Sequence, residues 1–157
     1  ITSQKDAAIK LVAKLRKRLN NITALTKNKK KPKVFFQIGL EPVITAGRGT
    51  LINEVIGRAG GINIADKNTA RYPRYSAEGI MAGSPDIILF APMANDKEFL
   101  TVKKFWQNFP EIPAVKNKKI HPVNTDLISR ASPRIFDAIE SMALIFHPDI
   151  KNQIPAN

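Results

Sequence analysis

Between residues 2 and 26 apolar side chains recur at Ala8, Ile9, Leu11, Val12, Leu15, Leu19 and Ile22. That is close to the repeat of about 3.6 residues expected of one helix face. Ser3 and Asp6 stand at capping-box spacing with Asp in the glutamate place, so the pattern predicts a helix of about six turns through Thr26, with a basic outer face. The polar run KNKKKPK predicts an exposed break, because Pro32 disfavours helical geometry at Lys31. From Val34 the rhythm shortens. VFFQIG and DIILFAP read as buried strands, and INIA and KIHPVN as brief ones. TLINEVIGRAGG, SAEGIMAG opened by Ser76, and DKEFLTVKKFWQNF read as helices between them. LEPVITAGRG and DKNTARYPRY read as loops. Ser132 and Pro133 open a last helix whose apolar stripe is Ile135, Ala138, Ile139 and Met142. Strands alternating with helices predict an α/β lobe, with a mainly parallel four-stranded sheet covered on both faces and a long helix in front.

Charge changes the picture only once it is located. The 157 residues carry 25 Lys and Arg against 13 Asp and Glu, a formal net charge of +12. Residues 1–33 alone hold eleven basic side chains and one acid, Asp6, for +10, which leaves +2 for the remainder. The basicity is therefore a solvated helix face and a lysine-rich connector, or a polyanion-binding arm. No nucleic-acid-binding motif supports the second reading. There is no cysteine, which excludes disulfides and thiolate metal sites. No run approaches the ~18 apolar residues of a membrane span. The first residue is Ile1 rather than Met, which raises the expectation of processing or truncation upstream.

Catalytic chemistry finds little support. Ser84 and Ser132 lack a nucleophile-elbow context, and TAGRGT is neither a Walker A sequence nor a full dinucleotide fingerprint. His121 and His147 have no partners at a recognisable spacing and read as structural. Phe99, Val102, Phe105 and Trp106 share a helix face and read as core. What remains is the carboxyl edge of the sheet, where open α/β folds collect ligands. The loops leaving it carry Glu41, Ile44 and Arg48; Arg71, Tyr72, Arg74 and Tyr75; and Asp126 and Arg130. An aromatic, a carboxylate and a guanidinium converging there suit a polar organic ligand with an apolar body. The plainer alternative is that Asp126 and Arg130 pair with each other.

KVFFQIGLEPVITAGRGTLINEVIGRAGGINIA, YPRYSAEGIMAGSPDIILF and IPAVKNKKIHPVNTDLISRASPRIFDAIESMALIFHPD together resemble the substrate-binding proteins of ABC importers for iron complexes and vitamin B12. The resemblance runs over essentially the whole chain. It implies an interlobe helix at 1–26, a basic linker at 27–33 and a C-terminal α/β lobe at 34–157, the N-terminal lobe lying outside this sequence. It implies a corrinoid ligand, or alternatively a ferric siderophore or other metal chelate, received by Tyr72, Asp126, Arg130 and Ile44. Ile44 and Leu127 stand where corrinoid-binding members carry aromatic rings, and Arg134 is structural. Glu78 matches an acid that docks such lobes onto arginines of a permease dimer; its plain reading is a favourable acid at a helix start. The resemblance further implies no catalysis, no cofactor, no resident metal and no nucleic-acid partner. It implies a periplasmic location or an extracytoplasmic lipid anchor, with membrane contact only through permease or anchor.

Overall fold

The computed structural model describes residues 2–91, 96–128 and 132–155. Helix α1 (Thr2–Thr26) leads into β1 (Lys33–Leu40), β2 (Val43–Thr45), α2 (Leu51–Arg58) and β3 (Ile62–Asn63). Then follow α3 (Ala77–Gly83), β4 (Ile87–Phe90), α4 (Asp96–Gln107), α5 (Pro113–Lys116), β5 (Ile120–Pro122) and α6 (Ile135–Phe146). Strand β1 pairs in parallel with β3 on one side and with β4 on the other, and β5 extends the sheet beyond β4. These are the four parallel strands that the alternation predicts.

A fifth strand departs from that expectation. β3 covers only Lys33 and Val34 of β1, which leaves the far half of that edge open. Val43–Thr45, read from sequence as loop, folds back antiparallel over it, pairing Leu40 with Val43, Gly39 with Ile44 and Gln37 with Thr45. An open edge of N–H and C=O groups is thereby satisfied within the chain.

Alternate side chains of the central strands feed two separate cores, which is why their sequence runs apolar without interruption. Val34, Phe36, Ile87 and Leu89 meet Ile22 of α1, Val55 and Ile56 of α2, and Ile139, Met142 and Phe146 of α6. Phe35, Ile88 and Phe90 meet Ile80 of α3, and Val102 and Trp106 of α4. The predicted aromatic face of α4 is thus core, as the periodicity implies.

Helix α1 is attached only along its second half. Residues 4–14 are all exposed, whereas Leu19, Ile22 and Leu25 pack into the first core. Arg18 clamps α1 to α6, reaching Asp137 at 2.7 Å and both oxygens of Glu140 at 2.8 and 2.6 Å. The Glu140 contact first, and Asp137 after it, hold the guanidinium more firmly charged than usual. Helical geometry is already present at Thr2, so Ser3 lies inside the helix rather than capping it.

The basic linker is less free than its composition suggests. Lys29 is part-buried and pairs with Asp149, and the Lys33 N–H donates to Asp86 Oδ2 at 2.8 Å.

The start of the last helix also shifts. Ser132–Arg134 form a tight turn in which Ile135 N–H reaches Ser132 O at 3.0 Å and Phe136 N–H reaches Pro133 O at 3.3 Å. Regular α-helix begins at Ile135, with Arg134 at the N-cap and no side-chain cap bond. Bonds of the i to i+3 kind at a helix mouth take up the orphan donors that Ser132 was expected to serve.

Candidate functional site

The parallel strands β1, β3, β4 and β5 all end at one edge, so the segments leaving them gather there. Segment 71–75 leaves β3 and runs antiparallel along β2. Thr45 N–H donates to Pro73 O at 3.1 Å, Gly47 N–H to Arg71 O at 2.7 Å, and Tyr75 N–H to Val43 O at 3.0 Å. Ile44 and Arg74 face each other as a bridge within this ladder. The approach is close enough to require glycine: a Cβ on Gly47 would stand 2.5 Å from Ala70 O.

Polar side chains lace the same region from beneath. Asn63 Nδ2 donates to Ala46 O at 2.7 Å and to Asn53 Oδ1 at 2.8 Å, and Asn53 Nδ2 donates to Asp66 Oδ1 at 3.0 Å. Arg48 Nε donates to Asp66 O at 3.0 Å, so this arginine is engaged in holding loop to loop. Thr50 caps α2 by accepting from Asn53 N–H at 3.1 Å.

The edge presents three of the four expected ligand-facing residues. Tyr72 is 57% exposed, an unusual state for a ring of its size, and Ile44 beside it is half-buried. Asp126 is exposed in the 3-10 turn Thr125–Leu127 that follows β5, its N–H donating to Asn124 Oδ1 at 2.9 Å. Strand order puts it across the sheet from Tyr72, four strand spacings or roughly 19 Å away. The two therefore suit opposite ends of a broad ligand and not one small ion. Arg130 lies outside the described residues, as does any pairing of it with Asp126. Leu127 packs against the first core rather than toward the edge.

Between Tyr72 and Asp126 lies the crevice where the sheet order reverses, between the ends of β1 and β4. A cavity of about 70 Å³ opens there, lined by Gln37, Gly39, Leu40, Phe90, Glu98 and Val102 among others. Its floor is held by a buried polar pair that sequence periodicity gives no means of finding: Trp106 Nε1–H donates to Gln37 Oε1 at 2.7 Å. Thr45, opposite Gln37, is fully buried, and its hydroxyl has no partner among the described residues. A larger hollow of about 630 Å³ borders α1 instead, lined by Lys14, Lys17, Arg18, Asn20, Asn21, Glu140 and Pro155. Its walls are surface lysines and an arginine already committed to Asp137 and Glu140, so size alone does not make it the site.

Glu78 is exposed in the first turn of α3, where Ser76 Oγ accepts from Gly79 N–H at 3.1 Å. A bond from its own backbone N–H, and then the Ser76 hydroxyl, hold its carboxyl below the ordinary range. It makes no ion pair among the described residues. Both histidines occupy structural positions. His147 is buried at the end of α6 with Nε2 3.2 Å from Gly60 O. Burial, aided by Lys119, lowers the pKa of His121. Among the described residues no group of three or more His, Asp or Glu gathers as a metal site, and no helix is long and apolar enough to cross a membrane.

A doubly covered parallel sheet that collects its loops over a switch-point crevice has the architecture of an α/β ligand-binding lobe. The chain belongs to the periplasmic binding protein family, whose profile matches residues 1–124. It is 33% identical over 127 residues to the vitamin B12-binding protein of Salmonella typhimurium, covering 79% of this chain and 45% of that one. To the vitamin B12-binding protein of Vibrio cholerae (strain N16961) it is 28% identical over 127 residues, covering 81% and 45%. The chain thus spans a little under half the length of these relatives. The crystal structure of the periplasmic vitamin B12-binding protein of Vibrio cholerae superposes with a TM-score of 0.72 and 26% identity, over 87% of this chain and 52% of that one. A possible iron-binding periplasmic protein from Staphylococcus epidermidis superposes at 0.77 and 27% identity, over 92% and 56%. The periplasmic heme-binding protein of Vibrio cholerae shares the fold at a TM-score of 0.82 and 22% identity, over 94% and 59%.

Proposed function

We propose that this chain is the C-terminal lobe and connecting helix of a two-lobed periplasmic solute-binding protein, free or lipid-anchored. The protein captures a corrinoid of the vitamin B12 type and delivers it to an ABC permease dimer. What carries the reading is the 33% identity to a vitamin B12-binding protein over 79% of the chain, taken with the exposed Tyr72 and Asp126 at opposite ends of one sheet edge. A broad macrocycle can touch both, with Ile44 as an apolar contact and Arg130 as the expected cationic one. The ligand is trapped and handed on, without chemistry. Glu78, exposed and free of an internal cation among the described residues, is suited to charge-assisted docking on permease arginines.

The second reading is a ferric siderophore or related chelate. It is favoured by Ile44, an aliphatic residue where a stacking ring would serve a flat macrocycle better. Titration calorimetry of the whole protein with cyanocobalamin and with a ferric hydroxamate separates the two. Tight binding of cyanocobalamin alone supports the corrinoid, and tight binding of the ferric chelate alone supports the alternative. Binding of neither sinks both.

A further inference from the structure

The ladder between 43–47 and 71–75 fixes more than the positions of Ile44 and Tyr72. With Ile44 opposite Arg74, the antiparallel register sets Ala46 opposite Tyr72, and directly opposed residues put their side chains on the same face. The odd-numbered residues point the other way. Val43 and Tyr75 pack into the second core, and Thr45 and Pro73 are buried. Ile44, Ala46, Tyr72 and Arg74 therefore share the other face, on which Ala46 is buried and Tyr72 and Arg74, two residues apart on one extended segment, are exposed.

Arg74 differs from Arg48, whose guanidinium is tied to Asp66 at 3.0 Å to the carbonyl and 3.6 Å to the carboxylate. Arg74 is exposed and makes no ion pair among the described residues. Its backbone is clamped on both sides, through Pro73 C=O and Tyr75 N–H, so the root of the side chain is held in place. A guanidinium rooted two residues from an exposed aromatic ring on the same face can bring a planar pair of N–H donors next to an apolar surface. That combination suits a phosphate or carboxylate borne on an apolar body.

We propose that Tyr72 and Arg74 form a receptor for an anionic group of the ligand, with Arg74 supplying the charge and Tyr72 the apolar contact beside it. The inference rests on the reading of this edge as a ligand site. The anion is the phosphodiester of a corrinoid nucleotide loop or the charged rim of a chelate, and the test tells these apart.

Four probes are titrated calorimetrically into the whole protein and into its Arg74→Gln and Arg74→Lys variants. Cobalamin carries the phosphodiester and cobinamide lacks it; a ferric tris-catecholate is anionic and a ferric tris-hydroxamate is neutral. Arg74→Gln is expected to weaken the anionic member of one pair by about 10-fold, the scale of one exposed charge-assisted contact, and to leave its partner nearly unchanged. Arg74→Lys restores part of the loss, and the pair that responds names the source of the anion. Equal affinities in wild type and Arg74→Gln, or an equal loss for both members of a pair, overturn the inference while leaving the ligand site intact. Failure of the wild-type protein to bind any of the four overturns the ligand-site reading and this inference with it.

Discussion

Gly60 is the residue on which three elements converge. Its φ is +87°, and a Cβ there would stand 2.8 Å from both His147 Nε2 and Thr26 Cβ. The Gly60 carbonyl meets His147 Nε2 at 3.2 Å, while the Thr26 hydroxyl is turned back onto Ile22 O at 3.0 Å. Gly60→Ala must adopt a left-handed backbone and also push apart the ends of α1 and α6. The expected cost is about 3 kcal/mol, combining the αL penalty with overpacking. A urea midpoint that falls at unchanged m-value checks this, and an unmoved midpoint refutes it. Lys29 and Asp149 give a prediction in pH. The Lys29 contact, first among its causes, lowers the Asp149 pKa below its ordinary 3.8. A carboxyl depressed on folding stabilises above its unfolded pKa, and that stability is lost as pH falls through the folded value. Between wild type and Lys29→Ala the difference in denaturation midpoint should therefore be constant near neutrality and shrink below about pH 4. A difference that persists at pH 2 would assign Lys29 a packing role instead.

At the scale of elements, the ladder between β2 and segment 71–75 is what turns two loops into a presenting surface. Gly47→Ala brings a methyl group to 2.5 Å from Ala70 O, so Gly47 N–H can no longer hold Arg71 O at 2.7 Å. The expected result is loss of that bond, seen as faster amide exchange at position 47 and at Thr45, together with weaker ligand binding. Protected amides in the variant would mean that the segment tolerates the shift. The ladder also marks where the sequence stops being legible. VFFQ and IILF announce buried strands because both of their faces are covered, and the α4 stripe announces a core face because it repeats at helical spacing. Val43–Thr45 has no such signal, since three residues carry no usable period and the strand forms between two partners distant in the pattern, the edge that β3 leaves open and segment 71–75. Likewise Tyr72 and Asp126 were readable as loop residues at the sheet's carboxyl edge, but the face that Arg74 shares with Tyr72 depends on a pairing 30 residues apart in the chain. Ser132 misled for a different reason: an i to i+3 turn had already satisfied the donors it was expected to cap.

For the whole molecule, the proposed role needs a lobe that stays rigid while presenting two surfaces, one to the ligand and one to a membrane partner. Glu78 tests the second. A role confined to the start of α3 predicts that Glu78→Lys changes little, because a fully exposed acid there contributes only a modest interaction with the helix dipole. A docking role predicts sharply reduced uptake in cells with ligand affinity unchanged, since a reversed charge at an interface repels its former partner. Normal uptake would return Glu78 to the helix start. The first surface bears the central claim, and calorimetric titration of ligand into the whole protein and its Tyr72→Ala and Asp126→Ala variants tests it most directly. Both side chains are exposed and neither holds a core together, so each variant is predicted to keep the wild-type melting temperature while losing about 10-fold in affinity for the bound corrinoid or chelate. Wild-type affinity in both variants would contradict the account.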